Sequence, residues 1–505
     1  MYLNQNLSID IQIFREPNFY QIRFCFFLLV KLLLNKYQSP LSFVLLLIGL
    51  TAPNQHAHAQ NIVDLIRFES AQRSLYDDEP VQRLINAQLI VDDVAMVCDT
   101  AYRFINKSEL LAIGNLQIET ENAIIWADSL RYFTKEDLSL LRGRVIIDQD
   151  DVRLFGEAVD YDFDHKIAYF NKGIRLEDST GVLMANRGSY FEEIDSAVFI
   201  GNVQLSSEDE YAESDRMNVQ REAKRSYLYG QVLMENKMDQ QILRADSVYA
   251  DSLGYRRLMG NATIRTIDGS DTTFVFSNTI RIHDQDSMFS FRTVEPTQSW
   301  STDFSTRSDS LYYESEYERF LLTGEPIVWY DNVELSASRI IAQMDSSEIK
   351  TLYLYQSAFV AVEDEQTGRL NQLKSDSLHA YFLLGELHEM TLFPNAEILY
   401  FTVNDEDEND GAIELRSPEI YLSFQDGEIE ELKSAASQGF VFEEDPTLEN
   451  RRLEGFAWNP ALRPQKPTNG FVYRFSPIPL EPSFALPKRF IDFLNSETTI
   501  QTTIK

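Results

Sequence analysis

The chain has 505 residues, with 45 Lys+Arg against 79 Asp+Glu and a formal net charge of −34 at pH 7. So acidic a chain has few cations with which to displace counterions from phosphates, which excludes nucleic-acid binding as its main activity and disfavours general adhesion to anionic membranes. A hydrophobic fraction of 44% with 12% aromatics is ample for a core, so disorder throughout is excluded as well.

Residues 1–59 read as a signal peptide. Arg23, Lys31 and Lys36 precede an apolar run from Leu41 to Leu50, and Ala57-His58-Ala59 supplies a small-x-small cleavage site before Gln60. The competing reading is a membrane anchor, because a second apolar run, Phe24 to Leu34, lies upstream. Lys31, Asn35, Lys36, Gln38 and Pro40 interrupt the two runs, which favours cleavage near Ala59. Cleavage leaves Cys98 as the sole cysteine, so no internal disulfide is expected. It also removes four basic and two acidic residues, which makes the chain more acidic still.

From Cys98 onward a short sequence keeps returning. Its clearest copies are Ala127-Asp-Ser-Leu-Arg-Tyr132, Ala245-Asp-Ser-Val-Tyr-Ala250, Ser308-Asp-Ser-Leu-Tyr-Tyr313 and Ser375-Asp-Ser-Leu-His-Ala380. Weaker copies start at Cys98, Gly156, Ala185, Ser214, Ser277, Ala337 and Ser417, mostly 29 to 32 residues apart. A second signal keeps phase with it: Gly114, Gly143, Gly173, Gly201, Gly230, Gly260 and Gly324 each fall 15 to 17 residues after a motif start. Two signals in phase over seven cycles mark a repeat.

Each cycle reads as two strands, since Val, Ile, Leu, Tyr and Phe alternate with polar residues over short stretches such as 144–148, 199–205 and 351–355. Apolar parity shifts across Gly114, from Leu111 and Ile113 to Leu116 and Ile118, so an extra residue at a bulge would keep both sets facing one interior. Such units cannot bury their apolar face alone and must stack. The predicted fold is therefore all-β, an elongated open β-jellyroll or solenoid built from two-strand repeats of roughly 29 residues. With one ~4.8 Å rung added per sheet in each of about eleven cycles, the expected length is roughly 50 Å. The repeat is lost near Asp445, and 446–505 is a Pro-rich tail, expected to be an extended cap or docking segment.

The alternation of Ala/Ser-Asp-Ser-Leu-x-Tyr with Gly-Asn-Val-x-Leu strands resembles the LptA/OstA (organic solvent tolerance protein-like) family of lipopolysaccharide transport proteins. The residues that carry it are Ala127 to Tyr132 followed by Gly143 to Ile147, and Ala185 to Tyr190 followed by Gly201 to Leu205. The resemblance divides the body into an OstA-like β-repeat domain at 60–265 and a more divergent continuation at 266–445. It implies a jellyroll whose splayed sheets shield lipid A acyl chains, a periplasmic location in association with the inner or outer membrane, and end-to-end stacking. The partners it implies are lipopolysaccharide and other Lpt-type jellyroll proteins joined by edge strands, an outer-membrane translocon among them.

An acyl chain in water costs ~0.8 kcal/mol per exposed CH₂, so a continuous apolar groove suits such cargo. The groove candidates are Leu116, Ile118, Leu130, Tyr132, Val145, Ile147, Val203, Leu205, Val232 and Met234. The alternative for all ten is a dry core. A strongly acidic carrier should hold tails while its outer faces repel phosphates.

Catalytic signatures are not found in the sequence. His165, His283, His379 and His388 form no H-x-x-x-H pair, and G-x-S-x-G and P-loop patterns are missing. Asp405 to Gly411 spaces carboxylates like part of a calcium loop, but Asp410 stands where the turn glycine belongs and Arg416 where the bidentate Glu belongs. No catalytic residue, metal or cofactor is assigned. The functional alternatives are a β-solenoid enzyme acting on polysaccharides and an adhesin-like surface repeat protein.

Overall fold

The computed structural model describes residues 63–494 apart from short stretches at several turns; the leader lies outside the described residues. Up to Glu443 nearly every element is an antiparallel strand, and the strands form one hydrogen-bonded sheet. The core of the path is a meander. Val94–Phe104 pairs with Glu109–Glu119, which pairs with Ala123–Phe133, then Leu138–Gln149, then Val152–Asp162.

Every one of these pairings slips register at mid-strand, at Val97/Thr100, Ile113/Leu116, Trp126/Ser129 and Arg142/Val145. The slips line up across neighbouring strands and crease the meander lengthwise. One half of each strand belongs to a first sheet (100–104, 109–113, 129–133 and successors), the other to a second sheet (95–97, 116–119, 123–126 and successors). Parity changes at the crease, so Leu110 and Ala112 before it and Leu116 and Ile118 after it all enter one interior.

The crease explains why the Asp and Gly signals keep phase. Gly143 has φ +90°, and a Cβ there would lie 2.2 Å from Oδ2 of Asp128, the motif Asp on the preceding strand. Only glycine accepts both that backbone and that contact. The residue after the glycine completes the pair: Asn115 and Asn261 donate from Nδ2 to Asp99 and Asp246 at 2.8 and 3.0 Å. Arg144 does the same for Asp128 through its backbone N–H (3.1 Å) and its guanidinium (2.6 Å), and those bonds hold the Asp128 carboxyl below its usual range. The motif tyrosine also has a task, since Tyr190 donates from its hydroxyl to Asp195 in the following turn at 2.8 Å.

The length expectation needs correction. A two-strand cycle adds two paired strands to each sheet, not one, so it advances by about 10 Å and the body reaches on the order of 100 Å.

Beyond Glu443 the chain leaves the sheet and returns along the body as an extended strap. Leu448 and Leu453 pack on Phe359, Leu399 and Phe401; Asn459 meets Glu334; Phe471 stacks on Phe274; Arg474 reaches Asp215; Arg175 donates to the Pro479 carbonyl; and Phe490 lies on Trp126. All these body residues point outward from the second sheet. The tail is thus a strap over that sheet's outer face, rather than a cap on one end.

Candidate lipid-facing interior and the strapped outer face

The interior is lined by the inward residues of both sheets. Leu84 to Leu422 belong to one continuous cluster of buried side chains. Small residues occupy the crease on the inside, such as Ala127 and Ala245, or serines whose hydroxyls reach the carbonyl two residues on, as Ser375 to Ser377 at 2.7 Å. One wall changes character midway. Ser277, Thr297, Ser299, Thr306 and Ser308 replace aliphatic residues over three successive second-sheet strands and are all buried. Their hydroxyls are satisfied locally, Ser299 with Thr306 and Thr297 with Thr293, both at 2.7 Å.

The structure places all ten groove candidates in this one interior. Leu116, Ile118, Val145, Ile147, Val203, Leu205, Val232 and Met234 come from the second sheet, and Leu130 and Tyr132 from the first; none is more than 7% exposed. Their side chains pack against one another, so admitting an acyl chain requires the two sheets to part. Arg131, next to Leu130, faces the other way and pairs with Glu109 at 2.6 Å. Cys98 is buried in the same interior, and burial, with the Asp99 carboxylate, pushes its thiol up to about 11, which makes it a weak nucleophile.

Sequence alternation missed the outer face of the second sheet. Trp126, Ile146 and Phe155 form a cluster with Phe490, and Trp329 is buried beside the strap. The strap's polar groups meet carboxylates on that face. Glu334, 2% exposed, accepts from Trp329 Nε1 at 2.9 Å and from the Asn459 backbone N–H at 2.7 Å. Glu213 accepts from the Arg474 backbone N–H at 3.0 Å. Glu414 binds Arg451 and Arg416; burial opposes its ionisation, yet the two guanidinium bonds hold its carboxyl below the usual range. Tyr473 is pushed up to about 12 by burial and by its bond to Glu235. The signal was legible as consecutive apolar residues, Ile124-Ile-Trp126, Val145-Ile-Ile147 and Val232-Leu-Met234, which mark strands buried on both faces.

His379 and His388 lie in separate strands, Leu370–Leu383 and Glu386–Phe393. Among the described residues no group of three or more His, Cys, Asp or Glu is arranged to hold a metal ion, and part of the Asp405 to Gly411 segment lies outside them. No helix among the described residues is long and apolar enough to cross a membrane.

An all-β jellyroll of creased, stacked strands with an apolar interior is the class that this geometry defines. Residues 60–215 match the family described as OstA-like protein, over the same crease repeats that carried the resemblance. No curated protein matches the chain.

Proposed function

We propose that this chain is a non-enzymatic, periplasmic β-jellyroll that shields the acyl chains of a lipopolysaccharide-type amphiphile during transport to, or assembly in, the outer membrane. The observation that carries the reading is the single apolar interior running from Leu84 to Leu422 along a body that begins with the OstA-like segment. A groove of that kind replaces water around the whole length of a chain at ~0.8 kcal/mol per CH₂. Because the described contacts of the strap fall on the second sheet and the crease, the sheets part by movement of the first sheet about the crease.

Free strand edges at both ends suit pairing with other jellyroll proteins. Among the described residues, Val63–Arg67 and Ser70–Tyr76 pair on one side only, as do Glu428–Ser434 and Gln438–Glu443 at the far end. Exposed Phe440 and Val441 in the last of these add apolar surface to an open edge. In-cell photo-crosslinking tests the reading: a probe at Leu116 or Val203 should capture lipid, and one at Arg131 should not. Equal capture at all three, or none anywhere with purified lipopolysaccharide, would sink it.

A further inference from the structure

A row of arginines crosses the outer face of the first sheet, the face that the strap leaves bare. Cross-strand pairing sets Tyr249 opposite Arg257, Arg257 opposite Arg281, Arg281 opposite Arg292, and Arg292 opposite Tyr312. All three arginines are exposed, while their chain neighbours Leu258, Ile280, Ile282 and Phe291 are buried in the interior, so the guanidinium groups point outward together. Directly opposed residues have Cβ atoms about 5 Å apart, and like charges at that separation destabilise the sheet. None of the three has a hydrogen-bond or ion-pair partner among the described residues. Among the described residues, two carboxylates that register places on this face are engaged elsewhere: Glu314 with Arg319 at 3.0 Å, and Asp251 with the Tyr249 hydroxyl at 3.1 Å and the Leu253 N–H at 3.0 Å. His283, two residues from Arg281, adds no compensating charge.

In a chain of net charge −34 with 79 carboxylates, three unpaired cations in one row form a locally built positive site. We infer that Arg257, Arg281 and Arg292 bind a phosphorylated saccharide headgroup. Guanidinium forks match phosphate oxygens in bidentate geometry. Three rungs span roughly 10 Å, room for a disaccharide bearing more than one phosphate. Tyr249 and Tyr312 close the row at both ends and offer ring surface to sugar C–H groups. The row also lies a few residues from the turns that form the first sheet's rim, since Arg257 follows the Gly254 turn closely. A headgroup there can sit over the rim while its tails pass between the sheets. That last link rests on the function proposed above. The expectation that the outer faces repel phosphate is thereby reversed at this one place.

The test uses the chain without its leader and a bis-phosphorylated glucosamine disaccharide that carries no acyl chains. At low ionic strength the wild type and a control on the outer face of the same sheet, Arg131→Gln, should bind it. The triple variant Arg257→Gln/Arg281→Gln/Arg292→Gln should bind about tenfold more weakly or worse. The dephosphorylated disaccharide should bind none of them. Equal binding by wild type and triple variant, or equal binding of the dephosphorylated sugar, would overturn the inference. So would loss of self-association in the triple variant with headgroup binding unchanged, which would assign the row to an acidic face of a second copy. Melting without ligand guards against misfolding, because removing stacked like charges should leave Tm unchanged or raise it. The single variant Arg281→Gln serves if the triple one melts lower. Since the probe has no tails, failure here leaves lipid capture at Val203 standing, and failure of that capture leaves this binding standing.

Discussion

The two sheets share every strand and one interior, yet their outer faces are opposites. The second sheet is roofed by the C-terminal strap, with Trp126, Phe155, Trp329 and Phe359 beneath or beside it. Among the described residues the first sheet has no strap over its outer face and presents the tyrosine and arginine row to water. The contrast teaches that the two sheets are held by different means. The second is buried on both faces along most of its length and should behave as a fixed slab, whereas the first is held by its inner face and the crease, with an outer apolar cluster of Val81, Phe104 and Leu111 only at its N-terminal end.

Deleting 446–505 should do the most damage, because it uncovers the apolar stripe along most of the second sheet. The truncated chain should lose its monomer peak in size-exclusion chromatography and bind hydrophobic dyes. A truncated chain that stays monomeric with an unchanged Tm would end the distinction between the faces. A point change within the comparison is Trp126→Ala, whose side chain is 1% exposed and meets Phe490 at a ring-centroid distance of 4.8 Å. It should cost about 3–5 kcal/mol in urea unfolding. The matching change on the bare sheet, Tyr353→Ala, removes a partly exposed ring packed on His379 and should cost about 1 kcal/mol. Equal costs would mean that the strap adds no effective burial.

The crease that both faces share gives a third, smaller effect. Gly143→Ala forces a Cβ into Asp128 and an alanine into φ +90°, and should destabilise by about 2 kcal/mol. Combining it with Asp128→Ala relieves the steric part but not the backbone part. The double variant should therefore be less destabilised than the sum of the single changes. Strict additivity in equilibrium unfolding would show that the Asp and Gly signals share a period without sharing a contact.

The first sheet is legible in the sequence wherever its strands have one wet face and so alternate, as at Leu130 and Arg131; the run Leu110-Leu-Ala-Ile113, whose Leu111 is buried on the outer side, is the exception. The crease was read from Gly114 because a parity change in the apolar pattern has few other causes. Two things were not legible by the same means. The strap has no period, and nothing local to its prolines says which distant face it meets. The arginine row consists of residues up to 35 positions apart that only register brings together, since Arg257, Arg281 and Arg292 have no shared motif. The groove candidates show a third case: alternation settles that Val203 and Leu205 point inward, and has no bearing on whether lipid ever touches them.

The smallest expected effect separates the two faces by pH. On the bare sheet, burial lowers the pKa of His379, which packs against Tyr353 and Phe393. The unfolded chain then takes up a proton there at a higher pH than the folded chain does. The stability tied to a neutral His379 is complete above the ordinary imidazole pKa and is lost as pH falls through it. Under the strap, the lowered Glu414 has the same sign in a more acidic window: its contribution holds above the ordinary carboxylate pKa and is lost as pH falls through the lowered one. Melting from pH 8 to pH 5 should therefore show a small decline that His379→Phe removes, with the strap still in place. The Glu414 share of a further decline below pH 5 should be removed by Arg451→Gln together with Arg416→Gln, at the expense of stability at neutral pH, while the Asp128 share stays. If His379→Phe leaves the first decline intact, the histidine is not what makes the bare sheet sensitive, and the pH contrast between the faces fails while the mechanical one stands.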